Sequence, residues 1–492
     1  MLESPFPVRY TDLAIILVYL AGITWFGARF RGSQKTLKDY FLGGRQAPWW
    51  AIALSIVSAE TSTLTIIGTP ALAYGGNLGF LQIVLGYLLA RIVISVLFLP
   101  HYFRGELFTA YELIGTRFGQ RARKVTAGTF LVLRALAEGV RVFAVSIVIS
   151  IVLGTGELAS IVLIVGLTLF YTFEGGMTAV IWTDVVQMFL YVAGAAVSLP
   201  VILQHIPGGW EQVLSVAGAA HKFQVFDFRF ALTPEFFSRP YSFWAGVIGG
   251  CFLTTASHGT EQLLVQRLLA ARSQRESRAA LFGSWVVIFV QFSLFLVIGV
   301  ILYVFYKTTG LSAPSPIDRI YPDFVWRYLP TGVAGLIIAA ILAAAMSNLS
   351  AALNALASTS IMDFYKPIAA RLGKRHSEAH FLRLARGATV AWGLVLLGIG
   401  YTARHWGSVL EAGLSIASII YGSLLGVFLL GVLTKRVGEN SAIAGMIAGL
   451  AVMAGVKLYT TIAFTWYVLI GTSVTFCVGY LISTLGGKSR HA

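Results

Sequence analysis

Charge is what this sequence has least of. Of its 492 residues, 12% are Asp, Glu, Lys or Arg, while 57% are hydrophobic and the mean hydropathy is +0.79. Soluble domains carry about 25% charged residues, so the chain is not built for water. Cysteine is nearly missing too. Cys251 and Cys477 both lie inside apolar segments, without metal or disulfide spacing, and read as small buried hydrophobes. No HExxH, GxSxG, cysteine pair or phosphate loop occurs. No loop is long enough for a soluble catalytic domain, so no enzyme is expected. A channel would need a continuous polar stripe or a repeated filter sequence, and neither is present.

What the chain does have is apolar length. Runs of about 18 residues or more, too long for ordinary core helices, recur throughout. Membrane segments fall near 10–28, 48–75, 78–100, 125–152, 158–173, 177–204, 241–266, 279–306, 330–361, 387–403, 408–433, 440–456 and 463–486. The first contains the run Leu13–Phe26 without a small-residue cleavage site, and reads as a retained helix rather than a signal peptide. The expectation is one transmembrane domain, an all-α polytopic fold of about thirteen helices. A leading helix at 10–28 precedes core segments at 48–204 and 241–433, with trailing helices at 440–486.

The net charge is +15, and its placement gives an orientation. Alternate loops hold 24 of the 36 Lys and Arg residues, the other loops hold 9, and Arg91, Arg134 and Arg141 lie inside spans. Basic residues stay on the cytoplasmic side. This predicts an integral inner-membrane protein with its N-terminus outside and its C-terminus in the cytoplasm. The basic excess marks topology and contact with anionic lipid in the bilayer, not a nucleic-acid footprint.

Two spans are not plain aliphatic runs. The second carries Ser58-Ala59-Glu60-Thr61-Ser62-Thr63, then Thr65, Gly68, Thr69 and Pro70. The seventh carries Thr254, Thr255, Ser257, His258, Gly259, Thr260, Glu261 and Gln262. Hydroxyls, β-branched residues, glycine and an acid lower helix propensity at mid-span. Unwound backbone at membrane depth is tolerated only where protein buries it or a cavity takes it up. Its freed carbonyls are hard oxygen ligands suited to a small cation. With the leading helix set aside, these are the first and sixth spans, as two five-helix inverted repeats would require.

At these residues the chain resembles a family. DYFLGGRQAPWW (Asp39–Trp50), EGGMTAVIWTDVVQ (Glu174–Gln187), GTEQLLVQR (Gly259–Arg267) and AAAMSNLSAALNALASTSIMDFY (Ala343–Tyr365) are similar, in order and spacing, to motifs of the solute:sodium symporters. That family includes the sodium/glucose, sodium/proline, sodium/iodide and sodium/sialic-acid carriers. The resemblance implies a leucine-transporter-like 5+5 inverted repeat with one leading and two trailing helices, and co-transported sodium with no organic cofactor. It implies sodium ligands at the carbonyls of Ser58, Thr61 and Ala344 and at the side chains of Ser347 and Asn348. Asn348 stands where the family usually has a second hydroxyl. Asp184 matches an acid on the family's intracellular exit path for sodium.

A charged side chain at mid-membrane costs about 2.5–3.5 kcal/mol and therefore faces a cavity or a partner. Arg134, Glu138 and Arg141 share one helix face, so they form an ion-pair ladder or present Arg141 to a solute. Glu60 is the other candidate for the solute cavity. Thr65, Gln82, Ser257, His258 and Gln262 complete the solute candidates. His258 reads equally as a neutral imidazole bonded within the bundle. The lack of aromatics at Ser257 and His258, where sugar carriers resemble one another in having them, disfavours a hexose. The function expected is sodium-coupled import of a small polar organic solute by alternating access. A proton-coupled symporter of the same fold is the alternative. A transporter-like sensor is a further one, although the long soluble tail it would carry is not seen.

Overall fold

The computed structural model describes residues 9–29, 43–104, 110–171, 176–373 and 378–488. Asp39–Leu42, Glu174 and Gly175 of the quoted motifs lie outside these, as do the loop cations Arg31, Lys35, Lys38, Lys374, Arg375 and Arg490. Among the described residues the regular elements are all helical, apart from one isolated bridge, Ala47 to Ala271.

The helices, in chain order, begin with α1 (Tyr10–Ala28), α2 (Trp49–Glu60), α3 (Thr63–Gly75) and α4 (Leu81–Val93). A π-helical turn, Ile94–Phe98, joins α4 to α5 (Leu99–Phe103). Next come α6 (Ala110–Phe118), α7 (Gln120–Leu153), α8 (Glu157–Tyr171), α9 (Gly176–Gln204), α10 (Gly209–Ala219) and α11 (Pro234–Ser238). The second half holds α12 (Phe243–Thr260), α13 (Gln262–Leu269), α14 (Gln274–Thr309), α15 (Ile320–Tyr328) and α16 (Val333–Thr359). A π-helical stretch, Ser360–Tyr365, leads to α17 (Lys366–Arg371). The chain closes with α18 (Glu378–Ala403), α19 (Val409–Leu433), α20 (Glu439–Tyr459) and α21 (Tyr467–Lys488).

Every expected span coincides with a helix or a helix pair. Among the described residues nine helices are long and apolar enough to cross a membrane, or ten if the bent pair α2–α3 counts as one. Helices α1 and α8 are apolar but shorter, and α12 is rich in the polar residues that mark its span as interrupted. Five short helices, α6, α10, α11, α15 and α17, occupy stretches expected to be loops. Each is too short to carry a clear periodic signal. The two π-helical turns were not expected either; such turns cluster at functional sites.

Both interrupted spans are broken in the structure. The pair α2–α3 bends by 64°. Thr61 there takes φ −86°, ψ 83° and Ser62 takes φ −86°, ψ 174°, so two residues in succession leave the helix. The pair α12–α13 breaks at Glu261, at φ −85°, ψ 129°. Small residues bring the broken elements close to their neighbours. A methyl group on Gly250 of α12 would collide with the carbonyl of Ile83 on α4, the kind of backbone approach that packs helices in lipid.

Candidate functional site

The break in the first interrupted span frees two carbonyls. In a continuous helix the Ser62 amide would bond to Ser58 O and the Thr65 amide to Thr61 O. Instead Ser62 N–H donates to Glu60 O at 3.1 Å, and Thr65 N–H donates to Ser62 O at 2.9 Å. The Ser58 and Thr61 carbonyls thus lose their helical donors at the same break. Both residues are buried. Their neighbours Ala59, Glu60 and Ser62 line a central cavity of about 680 Å³. The Gln291 side chain of α14 donates to Thr61 Oγ1 at 2.6 Å, which holds the unwound turn.

Across the cavity α16 is unbroken. Ser347 and Asn348 line it, three and four residues beyond Ala344 and so on one face of the helix. Of the five expected oxygen donors, Ser347 and Asn348 line the cavity, while Ser58, Thr61 and Ala344 lie buried on the same two elements, one broken and one continuous.

Asp184 of α9 lines the same cavity and is buried. It accepts from Ser55 Oγ at 2.7 Å and from Arg267 at 2.9 Å, and Arg267 Nε donates to Ser55 Oγ at 2.9 Å. Three elements, α2, α9 and α13, are thereby tied at one point.

Glu60 faces the cavity with 13% of its side chain exposed and pairs with fully buried Arg91 at 3.1 Å. His258 Nε2 lies 3.4 Å from the same oxygen, and His258 Nδ1 is 2.8 Å from Ser257 Oγ. Ser257 lines the cavity, so His258 supports the wall from behind. Thr65 also lines it and donates to Glu60 O at 3.3 Å.

The expected ladder exists and reaches further than one helix. Glu138 pairs with Arg141 at 2.5 Å and Arg134 at 2.9 Å; Arg134 continues to Glu261, 3.0 Å away at the break of α12–α13. Tyr421 of α19 donates to Glu261. Arg141 is the outermost member, with 26% of its side chain exposed, and it lines the cavity. The ladder and the cavity-facing arginine, taken as alternatives from the sequence, coexist.

Gln82 requires a correction. It is fully buried away from the cavity lining and clamps loop backbone: its amide donates to Gly79 O (3.1 Å) and Tyr241 O (2.8 Å) and accepts from Asp227 N–H (3.0 Å). A side chain with its donors and acceptor so engaged is a brace, not a solute contact. Gln262 does line the cavity, and its Oε1 accepts from Ala110 N–H at 2.7 Å.

In the cavity wall Phe80 stacks on Phe292 with centroids 5.1 Å apart, Leu410 also lines it, and Tyr241 donates to Glu411, the residue after Leu410. Beyond them Asp318 accepts from Val409 N–H at 3.3 Å. Burial pushes the Asp318 carboxyl up to about 6, with Glu411 adding to the rise and the Val409 amide opposing it. The lining runs the other way as far as Arg123, Gln266 and Thr359. Sequence reasoning assigned no site role to Arg267, Gln291 or Tyr421, although Arg267 closes the GTEQLLVQR motif and Gln291 is a lone amide in an apolar run.

Comparison with known proteins bears on the family and the fold. The sodium:solute symporter family model matches residues 40–449. The human sodium/iodide cotransporter is 30% identical over 97% of this chain and 74% of its own length. Mouse sodium-coupled monocarboxylate transporter 1 is 31% identical over 92% and 74%. The sodium/sialic acid symporter of Aliivibrio fischeri is 28% identical over 96% and 92%. Among solved structures, a sodium-coupled sialic acid symporter in a substrate-bound, outward-open state superposes with a TM-score of 0.80 at 27% identity, over 96% of this chain and 98% of that one. A nucleobase-cation symporter in a closed conformation, at TM-score 0.52 and 9% identity, shares the fold alone.

Proposed function

The chain belongs to the sodium:solute symporter family, and on that premise we propose that its sodium sits between the break of α2–α3 and the middle of α16. It is a sodium-coupled symporter of a small solute, built as an all-helical leucine-transporter-like membrane protein. The ligands are the carbonyls of Ser58, Thr61 and Ala344, Ser347 Oγ and the Asn348 amide oxygen. Five neutral hard oxygens suit a small monovalent cation. The observation that carries this reading is the diversion of the Ser62 and Thr65 amides, which leaves two carbonyls free where the family's motif places them.

Coupling follows from where the ligands lie. A broken helix and a straight one belong to parts that rock against each other in alternating access. An ion that binds both in one arrangement and loses half its ligands in the other shifts the equilibrium by its differential affinity. Asp184 lies on the way out. Basic loops on the cytoplasmic side and an N-terminus outside would make the long arm of the cavity, toward Arg123 and Thr359, its inward mouth. The Phe80–Phe292 stack and the Tyr241–Glu411 bond would then form the outer gate, and their engagement fits an inward-facing conformation. A cysteine at Gly208 should label from outside and one at Gly373 should not; reversed labelling would sink this orientation.

The solute is a small organic carboxylate. Glu60, Thr65, Arg141, Ser257 and Gln262 face the cavity, with His258 behind them, and Arg141 is its cationic group closest to solvent among the ladder residues. A guanidinium orients a carboxylate through paired hydrogen bonds. The relatives named above carry iodide, monocarboxylates and sialic acid, which are anions at neutral pH. The test is uptake into proteoliposomes under an imposed sodium gradient. Equal uptake driven by a pH gradient in sodium-free buffer would overturn the ion assignment in favour of a proton, with Glu60 or Asp184 as its carrier.

A further inference from the structure

The leading helix α1 lies outside both repeats, yet its first turn is built into the helix that carries Ser347 and Asn348. Asp12 is fully buried. Its Oδ1 accepts from Gly332 N–H at 2.7 Å and from Gly335 N–H at 2.9 Å, and its Oδ2 pairs with Arg9 Nε at 2.7 Å. Gly332 is the residue preceding α16, where no side chain of its own caps the helix. Arg9 turns the other way: it donates to Trp326 O at 2.6 Å and to Leu329 O at 3.1 Å, at the end of α15. Its guanidinium also lies 5.4 Å from the Trp326 ring.

The polarity of this arrangement is matched at both ends. Unpaired amides and a partial positive charge mark a helix start, and unpaired carbonyls with a partial negative charge mark a helix end. The Arg9–Asp12 pair places its cation on the end of α15 and its anion on the start of α16. Gly335 permits the approach, since a Cβ there would stand 2.8 Å from Asp12 Cα, O and Oδ1. Helix α1 also reaches the cavity, where Leu20, Ile23 and Thr24 form part of the wall.

We propose that α1 is a positioning element of the sodium site, with Asp12 capping α16 from another helix and so setting where Ala344, Ser347 and Asn348 stand. This inference rests on the sodium reading above. Helix α16 runs unbroken from Val333 to Thr359, so a displacement of its first turn is carried along its axis to the ligands. Removing the cap leaves the solute groups on α2, α7 and α12 in place.

The test is sodium-dependent uptake by Asp12→Ala and Asp12→Asn, beside Ser347→Ala as a reference. Asp12→Ala should raise the sodium concentration for half-maximal uptake roughly fivefold, within the range for residues that touch neither ligand. The solute KM measured at saturating sodium should not move. Asp12→Asn keeps an acceptor oxygen for both amides and should stay within about twofold of the native protein. A purely structural role would lower the amount of protein in the membrane and leave half-saturation unchanged, and that result overturns the proposal. So does an Asp12→Asn shift as large as that of alanine. If Asp12→Ala does not accumulate, Gly335→Ala, which forces the two helices apart, is read the same way. A shift in Asp12→Ala without one in Ser347→Ala would sink the ligand assignment instead.

Discussion

Arg267 donates to the Asp184 carboxylate at 2.9 Å, joining two residues 83 positions apart in one buried ion pair. Ser55 on α2 donates to the same oxygen. The acid proposed for the sodium exit is therefore also a fastener between α2, α9 and α13. Breaking a buried pair from one side leaves a charge without a partner and costs about 3–5 kcal/mol. Asp184→Asn should lower both turnover and the amount of folded protein, with little change in solute half-saturation. Pairing it with Arg267→Gln should restore protein level, since no lone charge remains, but not turnover. Membrane protein level and initial uptake rate, measured together, check this. Full recovery of transport in the double variant would remove Asp184 from the ion path.

The proposed sodium ligands give a sharper expectation. Ser347→Ala removes one donor oxygen from a helix that otherwise keeps its shape. Half-maximal sodium should rise about tenfold, equivalent to roughly 1.4 kcal/mol of lost binding. Asn348→Ser replaces one hard oxygen with another and should keep sodium dependence. Uptake titrated against sodium at fixed solute decides it. An unchanged Ser347→Ala titration would place the ion elsewhere.

How much of this was legible in the sequence depends on whether the signal is local. The broken spans were readable because Ser58–Thr63 and Thr254–Gln262 interrupt aliphatic runs with residues that disfavour helix. The ladder was readable because Arg134, Glu138 and Arg141 repeat at helical spacing. Contacts between distant segments were not. Arg267 sits where a span meets a basic loop, so by sequence it looks like one more topology cation. Arg9 likewise counted as a loop residue, with no sign that it bridges α15 and Asp12 to α16. Gln82 misled for a related reason. A glutamine in an apolar run must find partners, but the run does not say whether they are a solute or the backbone of Gly79, Tyr241 and Asp227.

Arg141 carries the solute expectation. Glu138 already neutralises part of its charge, yet a quarter of its side chain remains exposed at the cavity wall. Arg141→Gln should raise the KM for a monocarboxylate at least about tenfold, the loss of one charge-assisted contact. A neutral analogue, if carried at all, should be spared. Competition against a labelled carboxylate reads both. A uniform fall for every solute, or collapse of the protein, would make Arg141 a rung of the ladder and nothing more.

Asp318 predicts a dependence on pH that is separate from transport. It lies in the short turn Ile317–Arg319, outside the spans, and is buried beside the start of α19. Its carboxyl titrates near 6 because burial disfavours the anion, with Glu411 pressing in the same direction. An aspartate in the unfolded chain titrates near ~3.9. Between these two values the folded protein holds a proton that the unfolded chain has lost. Stability from this group is thus present at low pH, declines as pH rises through about 6, and is absent above it. The full difference corresponds to at most about 3 kcal/mol. Asp318→Asn mimics the protonated form, so it should match the native protein only near pH 3.5, melt somewhat higher than it at pH 5 and reach its full margin by pH 8. Thermal unfolding in detergent across that range checks the sign. Parallel curves for the two proteins would show that Asp318 is ionised at no cost, and that the end of the cavity near Val409 is wetter than its burial implies.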